Sequence, residues 1–222
     1  QTAGIAWNND GSKLFVMGTN SSDDELLEYS CSTNYDVSTC TYVRELPLND
    51  LHSGDPGPVN IKRVYALEFN DTGTKLYVGS GANNSGNGNG PNRKIYEITL
   101  DDAFNMSGGT LTNTLDVSSE DSIPTDISFN DDGSKLFVNG FQGNTVIVYP
   151  LSTDYSLAAS SVGTPAEFDL PSQTPKNKDI IFNNDGTKMY ISSADSSNDH
   201  ISVYSVPTAF DLSAGFSHLG NF

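Results

Sequence analysis

The chain has 222 residues, enough to bury a sizeable core as one large β domain or two small ones. Its 11 Lys and Arg stand against 28 Asp and Glu, for a formal charge of −17, so no basic stripe offers the counterion-releasing contacts that a nucleic-acid backbone or an anionic membrane surface requires. No apolar run approaches the length of a membrane span and no signal peptide is read at the start, while the charge itself favours solubility and draws divalent cations or basic partners.

In chain order, the first element ends at Trp7 and leads through an Asn/Asp-Gly turn into a second strand: WNNDGSKLFV, residues 7–16. The turn glycine accepts positive φ at no steric cost, and KLFV is β-branched and aromatic. A polar loop carrying Asp23, Asp24 and Glu25 follows, then a third strand, LLEYSC (26–31), a tight connection to Cys40, and a fourth strand near TYVRELPL (41–48). The same phrase returns as FNDTGTKLYV (69–78), FNDDGSKLFV (129–138) and FNNDGTKMYI (182–191). The turn glycines Gly11, Gly73, Gly133 and Gly186 lie 62, 60 and 53 residues apart. Third strands follow at KIYEITL, TVIVYPL and HISVYSV, and fourth strands near LTNTLDV (111–117), TPAEFDL (164–170) and SHLGNF (217–222).

A second anchor closes each unit: EYSCSTNYDVSTC (28–40), YEITLDDAFNMSGG (96–109), VYPLSTDYSLAAS (148–160) and VYSVPTAFDLSAG (203–215). In register, Tyr35, Phe104, Tyr155 and Phe210 share one position, and Cys31, Leu100, Leu151 and Val206 share another. Helical periodicity is absent, so the chain reads as all-β, in four units of four short strands. Radial repetition of such sheets is the β-propeller answer to exposed sheet edges. The expected fold is a β-propeller of four four-stranded blades, approximately 1–50, 51–120, 121–173 and 174–222, forming a single domain over 1–222. Half of an eight-bladed ring, or an excerpt of a longer array, is the alternative.

The phrase DGSKLFV, with an aromatic strand before it and Y-x-L-S-T-x-(aromatic)-D-(apolar)-S after it, resembles the YVTN and WD-like β-propeller repeats, most of all those of secreted bacterial and phage-associated surface proteins. The resemblance covers nearly the whole chain, although the Gly-His and Trp-Asp marks of the WD branch are missing. It implies the propeller fold and, by analogy, attachment or assembly at a surface. Many functions share that scaffold.

Several residues could carry chemistry. The repeated Lys13, Lys75, Lys135 and Lys188 could ring an axis and bind an anion, but they read better as hairpin lysines with their heads near the turn carboxylates Asp10, Asp132 and Asp185. The turns fail as EF-hand loops, since the Glu six residues past the glycine is replaced by Met17, Gly79, Asn139 and Ser192. The calcium candidates are therefore Asp23 and Asp24, Asp101 and Asp102, and Asp195 and Asp199. Cys31 and Cys40 bracket a tight connection with no partner ligands nearby, which points to a local disulfide and an oxidising compartment. His52, His200 and His218 fall at non-equivalent positions, and no G-x-S-x-G nucleophile signature occurs. Sequons stand at Asn20, Asn70, Asn83 and Asn105, of which Asn20 and Asn83, on long loops, are the glycosylation candidates. The departures from the repeat are the insert 49–65, whose Lys62 and Arg63 join nearby Arg44 as a basic patch for partner contact, and the Gly/Asn loop 79–94.

The functional expectation is a non-enzymatic extracellular module for binding or assembly at a cell, virion or filament surface, with a protein or glycan partner. It would lack a cofactor unless calcium binds, and a homo-oligomer or filament is open. The alternative is a calcium-dependent propeller hydrolase of the lactonase or esterase type.

Overall fold

The computed structural model describes residues 2–18, 25–48, 51–52, 58–59, 61, 63–81, 93–120, 123–140, 144–170, 177–194 and 199–222. They form two compact units, Gln1–Asp116 and Val117–Phe222. Each unit holds two four-stranded antiparallel sheets, so the fold is all-β with four four-stranded blades of the β-propeller type.

In the first unit, β1 (Thr2–Trp7), β2 (Lys13–Gly18), β3 (Glu25–Cys31) and β4 (Cys40–Pro47) make one blade. A short pair follows, β5 (Leu51–His52) with β6 (Pro58–Val59). The second blade is β7 (Val64–Phe69), β8 (Lys75–Ser80), β9 (Lys94–Asp102) and β10 (Asn105–Asp116). The second unit holds β11 (Pro124–Phe129), β12 (Lys135–Gly140), β13 (Thr145–Pro150) and β14 (Ala166–Asp169), then β15 (Asn177–Phe182), β16 (Lys188–Ser193), β17 (His200–Ser205) and β18 (Ser217–Asn221).

The repeated phrase is a hydrogen-bonded loop, wider than the two-residue hairpin turn that Asn/Asp-Gly suggests. In the first blade the Gly11 N–H donates to the Asn8 carbonyl at 3.1 Å, and the Asn8 N–H donates to the Lys13 carbonyl at 3.1 Å. The Asn8 side chain accepts the Lys13 N–H at 2.9 Å, and Asp10 accepts the Ser12 N–H at 2.9 Å. Asn70, Asn130 and Asn183 accept from Lys75, Lys135 and Lys188 in the same way. These contacts specify Asn first and Asp two residues later for local reasons. The bonds to Ser12, Ser134 and Thr187 hold the Asp10, Asp132 and Asp185 carboxyls below the usual range.

The two anchors then clasp one another. The N–H groups of Tyr35, Phe104, Tyr155 and Phe210 donate to the carbonyls of Gly11, Gly73, Gly133 and Gly186 at 2.8–3.0 Å. Each of these aromatic residues adopts a positive φ, between 51° and 60°, and lays its ring on its glycine. A β-carbon on Gly73 would come within 2.1 Å of the Phe104 ring, and Gly73 itself has φ 68°. Glycine is required there twice over, for backbone conformation and for space.

Three of the four lysine heads reach past the turn carboxylates, whereas Lys188 acts on its own turn carboxylate, Asp185. Lys13 Nζ lies 2.9 Å from Glu28 Oε1 and donates to the Phe104 carbonyl of the second blade at 2.6 Å. Lys135 Nζ donates to the Phe210 carbonyl of the fourth blade at 2.9 Å, and Lys75 pairs with Glu97 at 2.9 Å. A repeated position thus ties neighbouring blades within each unit, which a single-hairpin reading does not show. Glu28 is 2 % exposed, accepts the Met106 N–H at 3.2 Å and lies 3.4 Å from Arg44 Nε, so this carboxylate also bridges two blades. Around it, Phe15, Met17, Leu26, Val64, Leu76 and Ile98 build the first unit's core. In the second unit Phe137, Val146, Ile180, Ile191 and Tyr204 do the same.

Candidate functional site: paired carboxylates on adjacent first strands

A β-bulge interrupts the pairing of the first strand with the second in all four blades: between Thr2 and Gly4, Val64 and Ala66, Pro124 and Asp126, and Asn177 and Ile180. Bulges re-aim side chains and recur beside active sites. Counting three residues back from the aromatic that ends each strand gives Gly4, Ala66, Asp126 and Asp179. The first unit uses this position for close packing, since a β-carbon on Gly79 would stand 2.7 Å from that of Ala66. The second unit places a carboxylate there in both of its blades.

These two carboxylates belong to one arrangement. Asp126 Oδ2 accepts the Ile180 N–H at 2.9 Å, which joins β11 to β15. Ser192 Oγ donates to Asp179 Oδ2 at 2.6 Å and accepts the Asp179 N–H at 3.1 Å. Burial pushes the Asp126 carboxyl up to about 8, and the Asp179 charge adds to that rise. The Ile180 and Ile127 N–H groups partly offset it. Asp126 is half-buried, whereas Asp179 is exposed. One acid therefore keeps its proton at neutral pH beside a second acid open to solvent, the kind of split environment that supports acid–base chemistry.

Neutral polar groups adjoin the pair: Thr125 and Asn177 on the same two strands, and Asn139, which pairs in register with Asp126 from β12. Thr125 Oγ1 has the Asn139 and Asn177 carbonyls within reach at 3.2 and 3.3 Å. Asn139 and Asn177 are fully buried. Among the described residues, Asn139 Oδ1 and both polar atoms of the Asn177 amide have no hydrogen-bond partner. Other repeats carry Met17 and Gly79 in place of Asn139, and Val64 and Pro124 in place of Asn177, so the fold does not impose these amides.

The residues singled out from sequence are dispersed. Cys31 and Cys40 form a disulfide across β3 and β4, where the third blade has the Leu151–Val162 bridge. Asp101 and Asp102 sit exposed at the end of β9, with Asp102 Oδ2 accepting from Asn105 Nδ2 at 3.4 Å, and Asp199 is exposed just before β17. Asp23, Asp24 and Asp195, the sequon residues Asn20 and Asn83, and Lys62 lie outside the described residues. Most of the loop 79–94 and of the insert 49–65 does too. Arg63 is exposed, and Arg44 turns toward Glu28. His218 Nε2 is 2.7 Å from Asn221 Oδ1 on the last strand. Among the described residues no group of three or more His, Cys, Asp or Glu could hold a metal ion, and no helix is long and apolar enough to cross a membrane. The Asp126–Asp179 pair was not found from sequence. Its signal was the repeat register itself, in which two of four equivalent positions are acidic.

No family model and no curated protein matches the chain. Solved structures do match. A Bacteroides fragilis protein provisionally assigned as a 6-phosphogluconolactonase is 13% identical, with a TM-score of 0.59 over 98% of this chain and 70% of its own. The Pseudomonas aeruginosa periplasmic gluconolactonase PpgL is 14% identical, with a TM-score of 0.58 over 98% of this chain and 56% of its own. The β-propeller domain of Cps50 (Swd1) from Myceliophthora thermophila is 12% identical, with a TM-score of 0.52 over 93% of this chain and 54% of its own. At these identities the likeness establishes the β-propeller fold, and the chain spans 54–70% of each. It also corrects one expectation. The absence of enzymatic activity, read from the lack of a sequence signature, does not stand beside propellers named for lactone hydrolysis that align along 98% of the chain. Asp126 and Asp179 come from different blades and are brought together only in the fold, so no local pattern marks them.

Proposed function

We propose that the chain is a propeller hydrolase of the lactonase or esterase type, acting at Asp126 and Asp179. The observation that carries this reading is the carboxylate pair on adjacent bulges, with Asp126 held protonated and Asp179 exposed. The Asp179 carboxylate, positioned by Ser192, takes a proton from the attacking water as its oxygen bonds to the carbonyl carbon. Asp126 gives its proton to the departing alkoxide as the ester C–O bond breaks, leaving an acid and an alcohol. The substrate is an uncharged, hydroxyl-bearing lactone. What supports this is that the charge acting on Asp126 is a second carboxylate and no cation. The Cys31–Cys40 disulfide supports an extracellular or secreted setting.

The experiment is hydrolysis of γ- and δ-aldonolactones followed by proton release, comparing the native chain with Asp126→Asn, Asp179→Asn and Ser192→Ala. Rates should fall by about 10² or more in each Asp variant. Turnover no faster than the uncatalysed reaction, or equal rates in all four proteins, overturns the reading.

A further inference from the structure

The two blades of each unit meet through the same pair of faces. In the first unit, Phe15, Met17 and Leu26 of the first blade pack into one core with Leu67, Leu76 and Val78 of the second. In the second unit, Phe137 and Val146 of the third blade do so with Ile180, Met189, Ile191 and Tyr204 of the fourth. One blade presents the receiving face and the other the inserting face of a single repeated contact.

Each kind of face recurs once more, uncovered. Ile5 pairs with Val16 and Leu14 with Tyr29 in the first blade, as Ile180 pairs with Ile191 and Met189 with Tyr204 in the fourth. The four residues of the fourth blade are at most 3% exposed, whereas Ile5 is 63% exposed and Leu14, Val16 and Tyr29 are half-buried. Tyr42, whose ring lies 6.0 Å from that of Tyr29, extends this face onto β4 and is itself exposed. On the fourth blade, Ile181, Tyr190 and Ile201 stand in register where the third has Ser128, Phe137 and Val146. Phe137 and Val146 are fully buried, but Ile181 is 63% and Ile201 46% exposed, and Tyr190 is half-buried. Phe222 exchanges two backbone hydrogen bonds with Ile201 and adds an exposed ring. The repeat does not dictate Ile181, since Ala6, Glu68 and Ser128 hold that position in the other blades. Apolar side chains gathered on one open face mark an interaction surface.

We propose that a second copy of this chain covers both faces, the fourth blade of each copy packing on the first blade of the other. The argument for that occupant is continuity: the two open faces are the matching halves of a contact that the chain already makes inside each unit. A head-to-tail contact must close or polymerise. Two copies of four blades close at eight, within the range that propellers use. Asp179, two residues before Ile181 on β15, then borders β1 of the second copy as Asp126 borders β15. The inference does not rest on the hydrolase reading, in which none of these apolar side chains takes part.

The experiment is light scattering after size exclusion, with the chain at about 100 μM, where even a micromolar contact is filled. The native chain should run at twice the mass of one copy and stay there as concentration rises. Ile5→Asp and Ile181→Asp each set a charge on one face at an exposed side chain, so far-UV circular dichroism should match the native chain. Each should weaken the dimer at least about tenfold, because the charge must be buried on pairing. An equimolar mixture of the two variants should pair more tightly than either alone, since every mixed pair keeps one contact with both faces intact. A native monomer, a mass that climbs past two copies, pairing that survives either variant, or a mixture no better than its parts overturns the proposal. Each is read from mass alone, so failure here leaves the hydrolase reading as it was.

Discussion

Lys13 Nζ donates to the backbone carbonyl of Phe104, 91 residues away, at 2.6 Å while pairing with the buried Glu28 at 2.9 Å. One side chain therefore fixes the turn of the first blade, the third strand of that blade and the aromatic clasp of the second. Lys13→Met removes the cation and leaves Glu28 buried beside only Arg44 and the Met106 N–H. Breaking one partner out of such a pair costs about 3 kcal/mol. Urea denaturation should show that loss, whereas the exposed Lys188→Met should change stability by less than about 0.5 kcal/mol. Equal effects at the two positions would mean that the link between blades is energetically idle.

The clasp makes its own prediction. Gly73→Ala forces a β-carbon into the left-handed region and against the Phe104 ring. Left-handed backbone alone costs about 1–2 kcal/mol, and the clash adds to it. A thermal melt should fall by several degrees. Replacing Gly18, whose β-carbon would approach nothing closer than 3.9 Å among the described residues and whose φ is not positive, should not lower it comparably.

Much of this was legible in the sequence. The Asn-x-(Asp/Thr)-Gly-x-Lys phrase marked every first hairpin, and the second anchor marked every passage from third to fourth strand, because both are local patterns with local hydrogen bonds. The aromatic of the second anchor could be aligned but not placed, because its contact with the turn glycine spans 22 to 31 residues. The target of Lys13 was illegible for a stronger reason, since the Phe104 carbonyl carries no side-chain signature at all. Asp126 and Asp179 were visible as letters and not as a pair, because only the packing of β11 on β15 brings them into one arrangement.

The disulfide closes a short loop in the first blade alone. Cys31→Ser with Cys40→Ser should cost roughly 2–3 kcal/mol in the chain-entropy account. The measurement is the denaturation midpoint of the native chain with and without reductant. The reductant should reproduce the loss in the native protein and do nothing to the double variant.

Asp126 sets the pH dependence. Its carboxyl titrates near 3.8 when unfolded and at about 8 in the fold. Below 3.8 both states carry the proton and the group is neutral toward stability. As pH rises from there to about 8, the unfolded chain releases the proton while the folded chain retains it, so stability declines across that interval and levels off above it. Asp126→Asn removes the titration and should flatten this part of the stability curve, with the largest advantage over the native protein above pH 8. The same proton is the one proposed to leave with the alkoxide, so lactone hydrolysis by the native chain should lose kcat/KM through an alkaline limb near pH 8. Paired measurements of unfolding free energy and kcat/KM between pH 5 and 10 separate the two roles. A stability slope without an alkaline limb in rate would leave Asp126 as a half-buried acid that takes no part in the reaction.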